Sequence, residues 1–287
     1  MKRDGTGRGT ETQAVTANQS PGLGWQVQSS LDSAGGFPTC RQILNELNWL
    51  AGGTSGKLRF RIVPSAQTTL LIATRNAHKV GEIRALLGDT FRYLTLNNFP
   101  NAPAVIEDAP TFAGNAAKKA VELAGWLAAE IPNSKFQIPN STWVLADDSG
   151  LEVDALNGAP GVHSARFAAL DRSADRVSAN SPDTENNAKL LRLLKDVPIQ
   201  KRAARFRCVI ALVAGHPSSS ILHPQLFDGT CEGRIGFSPR GGNGFGYDPL
   251  FVPEGFTESF AELGEETKNQ LSHRAKALAQ LRAKLVL

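Results

Sequence analysis

The sequence predicts a mixed α/β (α+β) fold, in which helices flank a twisted sheet that contains both parallel and antiparallel strands. Short apolar runs that are typical of buried strands recur along the chain, and amphipathic helical stretches separate some of them but not others. The strict alternation of strand and helix that builds an all-parallel sheet is therefore missing. A mixed sheet with helices packed on its faces is the expected architecture.

The first 69 residues differ in composition from the rest of the chain. Gly, Ser, Thr, Gln and Asn dominate there without apolar periodicity, which predicts a disordered N-terminal extension at 1–69 and a folded domain at 70–287. The extension holds seven Lys/Arg and four Asp/Glu, whereas the domain holds 24 and 23. Because the domain is nearly neutral, we expect no stable binding of nucleic acid.

Composition and cysteine content also predict the cellular compartment of the protein. The 287 residues are 41% hydrophobic and 20% charged, and no apolar run approaches the length of a membrane span, so no membrane partner is expected. Cys40, Cys208 and Cys231 form no CxxC pair, and the N-terminus has no secretory apolar segment. Both features favour a cytoplasmic location.

The folded part begins with elements that have clear start and stop signals. A strand over 70–73 precedes a helix over 80–87, which Gly88 is expected to end. A second strand over 92–96 is followed by a long alanine-rich helix over 112–130, with small and aliphatic residues on one face.

The central stretch, Trp143 to Leu156, predicts two strands around the turn 147–150. Its sequence, Asp-Asp-Ser-Gly, has turn composition and lies between an apolar run and an alternating run. Further elements are expected along the rest of the chain: a helix at 184–194 capped by Asp183 or Thr184, strands at 203–214, 226–235 and 250–252, and a last helix at 272–285 capped by Ser272.

Adjacent carboxylates at the end of a buried strand raise the electrostatic free energy unless a cation or a reaction uses them. The alternative for Asp147 and Asp148 is an exposed acidic turn. Three more polar clusters add to this one. The loop 74–79 lies between a strand and a helix, where backbone N–H groups can bind an anion or a side chain can simply cap the helix.

The second cluster is the glycine-rich segment 241–248, which could approach a ligand closely and offer Phe245 to a base, or could be a flexible hairpin. The third is Lys268 with Ser272, His273 and Arg274, which places cations in the first turn of a helix. Acidic, anion-binding, aromatic and basic groups together fit a nucleoside triphosphate with a divalent metal.

At these residues the chain resembles the inosine triphosphate pyrophosphatase family, also called dITP/XTP diphosphatases. The resemblance covers 70–287. It rests on six segments in order: T-x-N-x-x-K at 74–79, F-x-x-N-A-x-x-K-A at 112–120, A-D-D-S-G-L-E-V at 146–153, G-A-P-G-V-H-S-A-R at 158–166, F-G-Y-D-P at 245–249 and S-H-R at 272–274.

The resemblance implies an ITPase-like fold with an active-site cleft between two lobes. It also implies hydrolysis of dITP, ITP or XTP to the monophosphate and pyrophosphate, with Mg²⁺ as cofactor and a homodimer as the assembly. Asp148 would be the general base, with Asp147 as its alternative. Asp148 and Glu107 would hold the metal, and Ser149 would contact the substrate. The triphosphate would meet Thr74, Arg75, Asn76, Ala77, His78, Lys79 and Lys119, with Lys268 nearby, and the base would lie among Phe245, Gly246, Tyr247, Asp248, His273 and Arg274.

Two positions depart from the family pattern: Arg75 replaces a glycine, and Gly114 replaces an acid that many members carry, which leaves the second metal ligand open. Two rival functions also stay open. One is a Maf-like pyrophosphatase with another base preference, and the other is a non-catalytic nucleotide or nucleic-acid binder that uses the basic N-terminus.

Overall fold

The computed structural model describes residues 68–130, 142–171, 180–215 and 223–285. It also gives the backbone of two short N-terminal strands that pair antiparallel, β1 (Asn18–Ser20) and β2 (Leu23–Gln26). The chain divides into two units, Met1–Val63 and Pro64–Leu287. Apart from these two strands and the last two positions, the segment 1–69 lies outside the described residues, so its disorder stays a prediction.

The main sheet of the second unit is mixed, as the sequence predicts. Its strands are β3 (Thr69–Ile72), β4 (Arg92–Thr95), β5 (Thr142–Val153), β6 (Ala203–Ala214), β7 (Gln225–Ile235) and β8 (Phe251–Pro253). They are arranged in the order β4-β3-β5-β6-β7-β8. Strand β3 is parallel to both of its neighbours, and the pairs from β5 to β8 are antiparallel.

The helices of the described residues are α1 (Ala77–Leu87), α2 (Phe112–Glu130), α3 (Asp183–Leu193), α4 (Phe260–Leu271) and α5 (His273–Leu285). Gly88 ends α1 at φ 69°, as predicted. Helix α4 is absent from the sequence-based prediction, although Ser259 and Glu262 form the capping box that could have revealed it.

The predicted cap of α3 is wrong. Pro182 is the N-cap residue, and no side chain caps this helix. The Asp183 carboxylate instead accepts a hydrogen bond from the backbone N–H of Gly246, at 2.6 Å. A tertiary contact with the glycine-rich loop thus takes the side chain that local sequence assigns to capping.

The predicted acidic turn is also wrong, because β5 continues through 147–150. Backbone pairing with β6 runs from Trp143 to Val153, with Asp147 opposite Ile210 and Asp148 opposite Val209. The neighbouring strand therefore satisfies the backbone groups that a turn would expose. Gly150 is required in this strand, since a Cβ there would lie 2.5 Å from the carbonyl oxygen of Gly161.

Side chains of β5 alternate between two apolar layers. Val144 and Ala146 pack with α2 on one face, where its Ala116, Ala120, Leu123, Ala124 and Leu127 are buried as predicted. Leu145 packs on the other face, in a cluster that includes residues of α1 and α5. Successive side chains of a strand point to opposite faces. Asp147 therefore faces α1 and α5, and Asp148 faces α2.

Candidate active site

Asp147 is surrounded by cations. Its Oδ1 accepts a hydrogen bond from Lys79 Nζ at 3.0 Å, and its Oδ2 accepts from Arg274 Nη2 at 2.9 Å and from Ser149 Oγ at 2.7 Å. Burial alone would raise the pKa of this carboxyl, but the charges of Lys79 and Arg274 hold the pKa well below its ordinary value of 3.8. Asp147 is therefore ionised throughout the neutral range.

Asp148 has the opposite surroundings. Asn115 Nδ2 donates to its Oδ2 at 3.1 Å, and Asn115 Oδ1 accepts from the backbone N–H of Ala109 at 2.9 Å. Burial raises the pKa of Asp148 to about 6; the Glu107 carboxylate also raises it, and Lys119 opposes the shift. A carboxylate that titrates near neutral pH is suited to proton transfer.

Glu107 lies in the loop before α2, where Lys119 and Arg166 anchor it. Lys119 Nζ is 2.5 Å from its Oε1, and Arg166 Nη2 donates to its backbone carbonyl at 3.1 Å. The glycine at 114 allows this loop to pack closely, because a Cβ there would lie 2.8 Å from the Cβ of Ala109. The loop that packs against Gly114 thus brings another acid, Glu107, near Asp148.

A cavity of about 170 Å³ joins most of the predicted substrate residues. Among the residues that line it are Asn76, Lys79, Ser149, Phe245, Gly246, Tyr247, Asp248, Lys268, His273 and Arg274. Ala77 and His78 line a second cavity, of about 240 Å³, which shares Phe245 and Lys268 with the first. Three predicted substrate residues, Thr74, Arg75 and Lys119, line neither of these two cavities, and neither do the predicted catalytic and metal residues Asp148 and Glu107.

The polar loop before α1 also has local roles. The Asn76 side chain accepts from the backbone N–H groups of His78 and Lys79 and so caps α1, and Thr74 Oγ1 accepts from the N–H of Asn76. Arg75 Nη2 donates to the carbonyl of Ala102 at 3.4 Å. The capping alternative considered for this loop therefore applies to Asn76, whereas Lys79 reaches the acidic strand.

Asp248 organises the glycine-rich loop. Its Oδ2 accepts from the backbone N–H of Phe245 at 2.9 Å and from Lys268 Nζ at 2.6 Å. Gly244 has φ +78°, and a Cβ at this position would collide with that carboxylate. Lys268 Nζ lies over the Phe245 ring, 4.6 Å from its centroid. The His78 ring stacks on the Phe245 ring, with 5.4 Å between the two centroids. The segment joins β7 to β8, which pair antiparallel as the hairpin alternative expects, and Asp248 and Lys268 hold it through these contacts.

Tyr247 and His273 are buried groups at the same cavity. The Tyr247 hydroxyl donates to the carbonyl of Ser164 at 2.9 Å, so the ring is locked in the wall. The His273 ring stacks on Phe206 at 4.8 Å, and burial together with the charges of Arg274 and Lys268 lowers its pKa well below 6.5. Its imidazole is therefore neutral, and Nδ1 has no hydrogen-bond partner in the described part of the protein.

Two residues of the site are absent from the sequence-based prediction: the partly buried Glu82, which contacts Lys268 and Arg274, and the buried Asn115, which contacts Asp148. Glu82 follows Lys79 by three residues on α1, so helical spacing could have placed both on one face. The partners of Glu82 are distant in sequence, and nothing local indicates them. Asn115 belongs to a recognised motif, but its sequence context does not reveal its contact with the acidic strand.

Comparison with known proteins gives a consistent result. Residues 70–284 match the family model described as the Ham1 family. The chain is 42% identical over 219 residues to a dITP/XTP pyrophosphatase of Opitutus terrae, covering 74% of this chain and 96% of that protein. It is 46% identical over 216 residues to one of Geobacter sulfurreducens, covering 75% and 95%.

Solved structures agree with the sequence comparisons. The structure of a HAM1 protein from Coxiella burnetii matches with a TM-score of 0.60 and 35% identity, covering 76% of this chain and 98% of that one. The Staphylococcus aureus Ham1 protein matches with a TM-score of 0.59 and 33% identity, covering 76% and 97%. The mixed sheet flanked by helices is therefore shared with these proteins.

Proposed function

Because the chain belongs to the Ham1 family, we propose that it hydrolyses dITP, ITP and XTP to the nucleoside monophosphate and pyrophosphate. Curated relatives that the chain covers almost completely are named dITP/XTP pyrophosphatases. The observation that carries the proposal is the split pair of acids in β5. Asp147 is a permanent anion held by cations, and Asp148 is a base with a pKa of about 6. Neighbouring carboxyls whose pKa values are driven apart are typical of acid–base catalysis.

In this proposal Asp148 removes a proton from the water that attacks the α-phosphorus. Asn115 donates to one of its oxygens, which fixes the orientation of the carboxylate. Lys79 and Lys119 supply positive charge to the triphosphate and to the departing pyrophosphate. The alternative base, Asp147, is less suited, because its pKa lies well below neutral and both of its oxygens already accept hydrogen bonds.

The residues present fit Mg²⁺. The described residues contain no group of three His, Cys, Asp or Glu that could hold a metal alone. Mg²⁺ usually takes one or two carboxylates and completes its shell with water and substrate phosphates. Asp148 and Glu107 would be those carboxylates, and their mutual repulsion, which raises the pKa of Asp148, favours a cation between them. Bound Mg²⁺ would neutralise charge on the triphosphate.

Base selection follows from hydrogen bonding. Hypoxanthine and xanthine present a 6-oxo acceptor, whereas adenine presents an amino group there. Arg274 uses four of its five N–H donors on Asp147, Ser149 and Glu82, which leaves one for a ligand. Each buried donor that an adenine leaves unpaired costs about 1–3 kcal/mol, so a few such groups give discrimination of about 10²-fold.

A nucleotide panel tests the proposal. Pyrophosphate release is measured from dITP, XTP, dGTP, dTTP and UTP, with and without Mg²⁺. We expect dITP and XTP to be preferred and the reaction to require the metal. A preference for a pyrimidine would instead support the Maf-like alternative, which the family match does not favour. No release from any nucleotide would support a non-catalytic binder.

Two further expectations accompany this function. A homodimer is proposed from the family resemblance, and sedimentation analysis would test it. A cytoplasmic location is proposed because Cys208 and Cys231 are buried free thiols, as a reducing compartment favours. No helix among the described residues is long and apolar enough to cross a membrane.

A further inference from the structure

Glu82 is a partly buried acid at the centre of a network of ion pairs. It lies on α1 one turn after Lys79, so both side chains leave the helix on the same face. Its side chain is 15% exposed, and a carboxylate buried to this extent requires charged or hydrogen-bonding partners. Burial would raise its pKa, but Arg274 and Lys268 lower it below the ordinary 4.5. Glu82 is therefore an anion.

Each oxygen of Glu82 contacts a different cation. Lys268 Nζ is 2.8 Å from Oε1, and Arg274 Nη1 donates to Oε2. Both cations also hold a second acid, since Lys268 contacts Asp248 at 2.6 Å and Arg274 contacts Asp147 at 2.9 Å. Glu82 consequently links the glycine-rich loop to the acidic strand through two ion pairs.

Glu82 contacts residues that line the cavity of about 170 Å³ but does not line that cavity itself. Lys268 and Arg274 line the cavity of about 170 Å³, but Glu82 is not among its lining residues. Glu82 lines the second cavity, which shares Phe245 and Lys268 with the first. It would therefore act on a nucleotide through Lys268 and Arg274 and not by direct contact.

The charges of this network balance. Asp248, Glu82 and Asp147 supply three negative charges, and Lys268, Arg274 and Lys79 supply three positive charges. Without Glu82, two cations would face each other across a buried site, each held by a single acid. Repulsion between like charges in a medium of low dielectric constant would then change their positions.

We propose that Glu82 is a positioning residue that sets the places of Lys268 and Arg274 in the wall of the cavity that they line, and thereby sets base selectivity. This inference rests on the proposed hydrolysis of deaminated purine nucleotides. In this scheme Glu82 contacts neither Asp148 nor the attacking water. Its loss therefore weakens nucleotide binding and base selection more than it slows the chemical step.

The test compares Glu82→Gln with the wild-type protein and with Glu266→Gln, an exposed acid on α4. Initial rates with dITP and dATP give kcat and KM for each protein. For Glu82→Gln we expect KM for dITP to rise about tenfold, kcat to change less than about threefold, and the dITP preference over dATP to fall about tenfold. Glu266→Gln should stay within about twofold of wild type.

An unchanged KM and selectivity in folded Glu82→Gln would overturn the inference, and so would a loss confined to kcat. If Glu82→Gln does not fold, as the lack of a cooperative unfolding transition would show, Glu82→Asp is tested in its place. That variant keeps the charge but shortens the reach, so it should show a smaller rise in KM with partial loss of selectivity, and wild-type behaviour would overturn the inference. A wild-type protein without activity on dITP would instead refute the proposed function itself.

Discussion

The two faces of β5 place adjacent carboxylates in opposite electrostatic surroundings. On the α1 and α5 face, Asp147 meets Lys79, Arg274 and Ser149, and its pKa falls well below 3.8. On the α2 face, Asp148 meets Asn115 and the repulsion of Glu107, and its pKa rises to about 6. Both are buried to a similar degree, at 4% and 5% exposed, so burial does not explain the difference.

The difference shows how a strand can separate two roles within two residues. Asp147 pairs with Lys79 and Arg274, which line the cavity of about 170 Å³, and so connects α1 and α5 to the sheet. Asp148 lies away from Arg274, where a proton can come and go near neutral pH. Replacing each acid by its amide should therefore give different defects, and this contrast is the sharpest check on the comparison.

The largest expected effect is on turnover in Asp148→Asn. Loss of the general base should lower kcat for dITP by about 10³-fold, measured as pyrophosphate release. Stability should not fall at pH 8, because burial and Glu107 disfavour the charged form of this carboxyl. Near-normal turnover in the folded variant would remove Asp148 from its role.

Asp147→Asn should instead lose stability. Neutralising this acid removes the only acid that pairs with the partly buried Lys79 among the described residues and leaves the buried Arg274 with Glu82 alone. Removing one partner of such an ion pair typically costs about 3–5 kcal/mol of unfolding free energy, measured by denaturant titration. The control is Asp154→Asn, an exposed acid that follows the same strand, and its change should be below about 1 kcal/mol. Equal stability of the two variants would contradict the ion-pair account of Asp147.

The pH profile sharpens the comparison further. Since the pKa of Asp148 is raised to about 6, its protonated fraction grows as pH falls through that value, and kcat/KM for dITP should fall with it. The effect of pH on the free energy of unfolding has the opposite sign to its effect on the rate. The folded state holds this proton more tightly than the unfolded state, so the ionisation of Asp148 costs stability as pH rises from 3.8 toward 6. A flat rate profile between pH 5 and 7 would contradict the assignment.

The smallest effect concerns Glu107→Gln. Removing its charge takes away one cause of the raised pKa of Asp148, so the acid limb of the rate profile should move to lower pH. More Mg²⁺ should also be needed for half-maximal activity if Glu107 helps to hold the metal. Asp108→Asn is the matched control, because Asp108 is the next residue and pairs with Lys118 at the surface. Identical pH profiles and metal requirements for both variants would exclude Glu107 from the site.

Several elements could be predicted from the sequence because their signals are local. The helix over 112–130 agrees with its periodic apolar face, and Ser272 caps α5 by accepting from the backbone N–H of Ala275. Strand β6 has the predicted bounds. The central turn was wrong for the opposite reason, since Asp-Asp-Ser-Gly has turn composition but pairs with a strand about 60 residues later, at Ile210 to Arg207.

The sequence by itself determined which residue types are available, on which helices and strands most of them lie, and which family they resemble. Only the tertiary structure decided that Asp147 and Asp148 face different helices and that Glu82 joins Lys268 to Arg274. The physical reason is the separation in sequence of the residues that each interaction joins. Hydrogen bonding within a helix or at its cap involves residues a few positions apart, whereas the ion pair of Glu82 and Arg274 joins residues 192 positions apart. Burial and neighbouring charge set a pKa, and both exist only once those distant segments have packed.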